Sequence, residues 1–164
     1  MIFEVKGKPQ GKARARTFYD ERIGKMRSVT PDGTRSYEEL IRWSFVAAGG
    51  KYGGANVPFT VSIVARYSVP TAWSKSKREK ALNGEICPQT KPDCDNIVKS
   101  VLDALNGVAY ADDKQVVAVS CRKKYAAEPC VMVKIEEDKN ENLDRRRNCD
   151  IKGEISDIAQ KYNM

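Results

Sequence analysis

The chain has 164 residues, 41% hydrophobic and 31% charged, enough to bury the core of one ordinary domain, and a single domain is expected. Net charge is +7, no apolar run approaches the roughly 18 residues of a bilayer span, and the opening MIFEVK lacks a secretory hydrophobic segment, so a cytoplasmic chain with no membrane partner is expected. The absence of histidine excludes imidazole as base, acid or metal ligand, and the five cysteines, with no C-x-x-C spacing, argue against a disulfide framework or a thiolate zinc site.

Residues 1–6 alternate apolar Met1, Phe3 and Val5 with other side chains and read as a short strand ended by Gly7. Residues 6–27 hold eight Lys or Arg against two acids, with Phe18 and Tyr19 interleaved and Pro9, Gly11 and Gly24 interrupting regular structure. The pattern predicts a basic loop that either grips phosphates and stacks on bases or is simply solvated surface. Over 36–48 an acidic first turn and an apolar stripe including Leu40, Ile41, Ala47 and Ala48 predict a helix capped near Ser36, with Trp43 in the core or a packing interface and Gly49-Gly50 as the stop. The following GGKYGG is read as a turn, since it lacks the hydroxyl and the spacing of a phosphate-binding P-loop.

Residues 57–69 give the clearest strand signal, with Val57, Phe59, Val61, Ile63, Ala65, Tyr67 and Val69 on one face and Pro70 as the stop. Ser74 caps a short basic helix over 75–82, whose Lys75, Lys77, Arg78 and Lys80 suit phosphates or a solvated face. In 95–106, Val98, Val101, Leu102 and Leu105 stand at i, i+3, i+4 and i+7, and Gly107 supplies a left-handed stop. Strands are predicted at 115–125 and 130–135, joined as a hairpin through Ala126, Ala127, Glu128 and Pro129. From 136 to 164 the composition turns to Asn and charges, which predicts a flexible polar tail with a short helix around Ile151, Ile155 and Ile158.

Charge divides along the same line. Residues 1–135 hold 23 Lys or Arg against 14 acids, whereas 136–164 hold 6 against 8, so the body is basic and a polyanion is its first candidate partner. Within that basic body the acids of KPDCDNIVK stand out. Asp93 and Asp95 lie at the mouth of the helix, Lys99 and Asp103 follow Asp95 at one-turn intervals on the same side, and Asp112-Asp113 return after Gly107. Taken singly these are a cap, an i,i+4 ion pair and a turn. Taken together, three carboxylates drawn close repel unless a hard divalent cation lies among them, which predicts Mg2+ or Mn2+. Such a metal neutralises a phosphodiester and orients water, work that absent histidines cannot do, while Lys99 stabilises a phosphate or helps place the water. An EF-hand is excluded because Ile97 stands where an oxygen ligand is required.

The run KPDCDNIVKSVLDALNGVAYADDKQV, residues 91–116, resembles the signature of the RusA family of Holliday-junction resolvases. KGKPQGKARAR at 6–16 and VPTAWSKSKREK at 69–80 are similar to further family features, so the likeness covers most of residues 1–135 and leaves out the tail. It implies an α+β domain with a mixed sheet packed by helices, acting as a homodimeric, magnesium-dependent endonuclease that cuts four-way DNA junctions by paired symmetric nicks. Carried over residue by residue, it implies metal-binding and catalytic roles for Asp93, Asp95 and Asp113 and a catalytic role for Lys99. Asp112, Asn96 and Asp103 take supporting positions. Lys8, Lys12, Arg14, Arg16, Lys75, Lys77, Arg78, Lys80 and Lys91 would hold the DNA backbone, with branch shape providing selectivity. Two other classes compete: a junction-binding architectural protein whose acids are only caps, and a metal-dependent nucleotide-sugar transferase, for which the chain leaves little room.

Overall fold

The computed structural model describes residues 1–138, and the predicted tail helix around Ile151, Ile155 and Ile158 lies outside them. The elements run β1 (Ile2–Lys6), β2 (Arg16–Asp20), β3 (Lys25–Val29), α1 (Asp32–Ala47), β4 (Phe59–Ser68), α2 (Lys75–Leu82) and α3 (Cys94–Leu105), then a 3-10 turn (Asp113–Gln115), β5 (Val116–Ala126) and β6 (Cys130–Glu137). The chain is an α+β domain with a mixed four-stranded sheet in the order β1-β6-β4-β5; β4 and β5 are parallel, and the other neighbours are antiparallel.

Alternation in β4 buries Phe59, Val61, Ile63, Ala65 and Tyr67, which meet Phe3 and Val5 of β1 and Val131, Val133 and Ile135 of β6 in one core. α1 adds Tyr37, Ile41 and Phe45, and α3 adds Ile97, Val101, Ala104 and Leu105. Because parallel strands need a long crossover, α2 and α3 are carried in the link from β4 to β5. α3 ends as predicted at Gly107, whose φ of +74° suits glycine best.

Four expectations are corrected. Strands β5 and β6 form but are not a hairpin, since β4 lies between them and bonds to both. The three residues 127–129 cross the end of β4, a span of about two strand spacings or 10 Å. Local turn signals cannot reveal this, because the insertion satisfies both backbone edges of β4, a non-local gain. The loop predicted over residues 6–27 instead contains β2 and the first part of β3, which pair as a two-stranded sheet; every side chain of β3 is exposed, which leaves no apolar alternation to read. α1 begins at Asp32, four residues before Ser36, because Pro31 presets the N-cap and its carbonyl accepts from the N–H groups of Thr34 and Arg35. Its buried stripe is Thr34, Tyr37, Ile41 and Phe45, which leaves Leu40, Ala47 and Ala48 exposed. Trp43, two residues from Ile41 and so about 200° around the helix, points outward with 71% of its surface exposed.

Candidate active site

The segment entering α3 is pinned from beneath by the sheet. The carbonyl of Pro92 accepts from the Tyr67 hydroxyl at 3.4 Å and from Lys123 Nζ at 3.2 Å, and Lys123 also donates to the Thr90 carbonyl at 2.5 Å. Neither β4 nor β5 shows this duty in sequence, because both residues act on backbone atoms some 30 positions away. Asp93 is the N-cap of α3, yet its carboxylate makes no capping bond. Asp95 stands in the first turn, where helix dipole and acid attract. Among the described residues both carboxylates are exposed and have no hydrogen bond or ion pair.

The N-terminal loop lies over this helix mouth. Lys12 N–H donates to the Asn96 carbonyl at 3.0 Å, and a Cβ on Gly11 would stand 2.7 Å from Pro92 Cβ and 2.9 Å from Asn96 Cβ, so only glycine fits so close. Between loop, α1 entrance and α3 runs a groove of about 650 Å³ whose lining includes Lys8, Arg14, Lys91, Asp93 and Asn96. Four cations, Lys12 among them, thus share a concavity with one unpartnered acid. Lys75, Lys77, Arg78 and Lys80 are exposed on α2, where Lys77 Nζ lies 4.1 Å from the Trp73 ring centroid, and Arg16 opens β2.

The two acids after α3 are separated by their partners. The Asp112 carboxylate accepts from Lys114 N–H at 3.0 Å, and the buried Gln115 side chain accepts from the N–H groups of Ala111 and Asp112, a reciprocal cap. Gln115 also donates to the carbonyls of Gly54 and Val57, both at 2.9 Å, tying the turn to the loop before β4. The Lys114 N–H bond, followed by its ammonium charge, holds Asp112 below the usual carboxylate range. Asp113 instead reaches α3, its Oδ2 lying 3.1 Å from Lys99 Nζ.

Lys99 bridges Asp113 and Asp103, the latter at 2.8 Å, and hydrogen bonds to Asp103 and then Asp113 raise its pKa. Asp103 Oδ2 in turn lies 3.1 Å from Lys12 Nζ, which also pairs with Glu38 of α1. Burial alone would lower the Lys12 pKa, but its bonds to Glu38 and Asp103 outweigh that and raise it. Lys12 is therefore engaged inside the protein, unlike its exposed neighbours Lys8 and Arg14, and Glu38 joins the site without a local sequence signal.

The expected gathering of Asp93, Asp95 and Asp113 into one cluster is not realised: among the described residues no three acidic, cysteine or histidine side chains are placed to hold a metal ion. Like charges repel, and Lys99 offers Asp113 an opposite charge instead. The donor chemistry nevertheless suits a hard divalent cation, with two free carboxylates at the helix mouth and a third on the facing turn. Among the described residues no helix is long and apolar enough to cross a membrane.

The family model described as Endodeoxyribonuclease RusA matches residues 6–136. A stretch of 64 residues, 39% of the chain, is 55% identical to a protein described as uncharacterized protein YqaN of Bacillus subtilis (strain 168) and spans 45% of it, under half that relative's length.

Proposed function

Because the chain belongs to the RusA endodeoxyribonuclease family, we propose that it is a magnesium-dependent, structure-selective DNA endonuclease that resolves four-way junctions by paired symmetric nicks in recombination and repair. The observation that carries this reading is the pair of unpartnered carboxylates, Asp93 and Asp95, beside a groove bearing Lys8, Arg14 and Lys91. The cations attract a polyanionic strand, and the acids repel it unless a divalent ion stands between. Asp93, Asp95 and Asp113 would hold magnesium, with manganese as a substitute, and the bound ion supplies charge stabilisation at the scissile phosphate.

The chain's own residues supply binding and placement. Lys8, Arg14, Arg16, Lys91 and the α2 residues Lys75, Lys77, Arg78 and Lys80 hold backbone phosphates, so branch shape selects the substrate. Lys99 donates to a phosphate oxygen or orients the attacking water, and the Asp112 cap keeps Asp113 at the rim. A four-way junction needs two equivalent cuts, which a two-fold homodimer provides.

The test compares a synthetic four-way junction with linear duplex, with and without magnesium. Magnesium-dependent nicks on the junction, lost in Asp93→Asn, Asp95→Asn and Asp113→Asn while binding persists, support the reading. Cleavage retained by all three variants rejects the site, and tight binding by the wild type with no nicks makes the chain an architectural junction binder.

A further inference from the structure

Lys12 lines the groove with Lys8, Arg14 and Lys91, but unlike theirs its charge is taken up by two acids of the protein itself. Its ammonium is shared between Glu38 of α1 and Asp103 of α3, side chains only 13% and 18% exposed, and its own main chain is bonded to Asn96. Ala13 N–H adds a bond to Thr34 Oγ1 at 3.4 Å, so the loop is fastened to both helices. Two largely buried carboxylates from packed helices repel one another, and Lys12 is the cation that joins them.

Asp103 extends this join to the site. One of its oxygens faces Lys12 at 3.1 Å and the other faces Lys99 at 2.8 Å, so turning away from Lys99 would also break the contact with Lys12. Lys99 is a long side chain with 56% of its surface exposed, and its other partner, Asp113, is a proposed metal ligand. Asp103 is therefore the partner that would keep Lys99 in place if Asp113 held an ion.

We propose that Lys12, Glu38 and Asp103 form a positioning clamp that holds the Lys99 ammonium toward the reacting phosphate, so that Lys12 acts through Lys99 rather than by gripping DNA. This rests on the nuclease reading for what Lys99 does; the clamp itself has a separate readout. Displacing the Lys99 ammonium costs rate at the reacting phosphate, whereas Lys12, which grips no strand, adds nothing to the salt dependence of binding.

The experiment measures junction cleavage, the salt dependence of junction binding without magnesium, and the side-chain NMR signals of Lys99, in wild type, Lys12→Met, Lys12→Arg and Glu38→Gln. For Lys12→Met the expected result is a fall in kcat of roughly 10- to 100-fold at unchanged KM. The salt slope stays unchanged, the Lys99 signals shift, and Lys12→Arg restores part of the rate. Glu38→Gln, which keeps the side chain's size, gives a smaller effect of the same kind and stands in should Lys12→Met fail to fold. A salt slope reduced by about one with kcat unchanged would make Lys12 a phosphate contact and overturn the clamp. Should the wild type not nick at all, the nuclease reading falls, and Lys99 signals unmoved by Lys12→Met would overturn the clamp as well.

Discussion

Asp112 and Asp113 are neighbours of identical chemistry with opposite employment. The first closes a 3-10 turn with both partners inside the turn, whereas the second faces Lys99 across 3.1 Å. Asp112→Asn, which keeps an acceptor for Lys114 N–H, should therefore retain nicking, and Asp113→Asn should lose it; equal loss in a junction assay would refute the division. Because folding depresses the Asp112 pKa, its contribution to stability is complete above the ordinary value of 3.8 and disappears as pH falls through the lower folded value. Thermal midpoints followed into acid should thus fall less steeply for Asp112→Ala than for wild type in that range. Cysteine chemistry divides as sharply. Burial, and then Cys94 beside it, push the Cys121 thiol up to about 12, whereas Cys87 is exposed. Iodoacetamide at neutral pH followed by peptide mapping should label Cys87 and spare Cys121.

Individual elements differ in how openly the sequence announces them. The core strand β4 and helices α2 and α3 carry their signals within themselves: alternation, a Ser74 cap, an apolar stripe closed by Gly107. The β2–β3 pair carries none, since every side chain of β3 is exposed and the strands are joined by backbone pairing and the Asp20–Arg27 ion pair, and a hairpin reading of β5 and β6 fails because β4 enters from outside the local window. The site follows the same rule. Asp93, Asp95, Lys99 and Asp103 are legible because one helix spaces them, whereas Glu38, Lys123 and Tyr67 meet the site only through tertiary packing. Gly11 is the clearest test of that packing: Gly11→Ala places a methyl against Pro92 and Asn96 and should lower stability by about 1–3 kcal/mol in urea unfolding. Gln115→Ala leaves the Gly54 and Val57 carbonyls without their donor and should cost a similar 1–3 kcal/mol.

At the scale of the whole molecule, the family match ends at residue 136, next to the point where the composition turns from basic to mildly acidic. Junction affinity should accordingly fall steeply with salt, and each neutralised α2 cation, for example Lys75→Gln or Lys80→Gln, should reduce the log–log slope by about one. A slope unchanged by both would remove α2 from the DNA path. The sheet order adds a constraint of timing. β6 is the slat between β1 and β4, so the first strand and the central strand share no ladder until residues 130–137 arrive. During synthesis the loop that roofs α3 has β1 as its base, while α3 itself hangs from the β4–β5 crossover; the two halves are joined across the sheet only when β6 is threaded home. A ribosome-bound chain stopped short of that strand carries every acidic residue of the site on an unclosed scaffold.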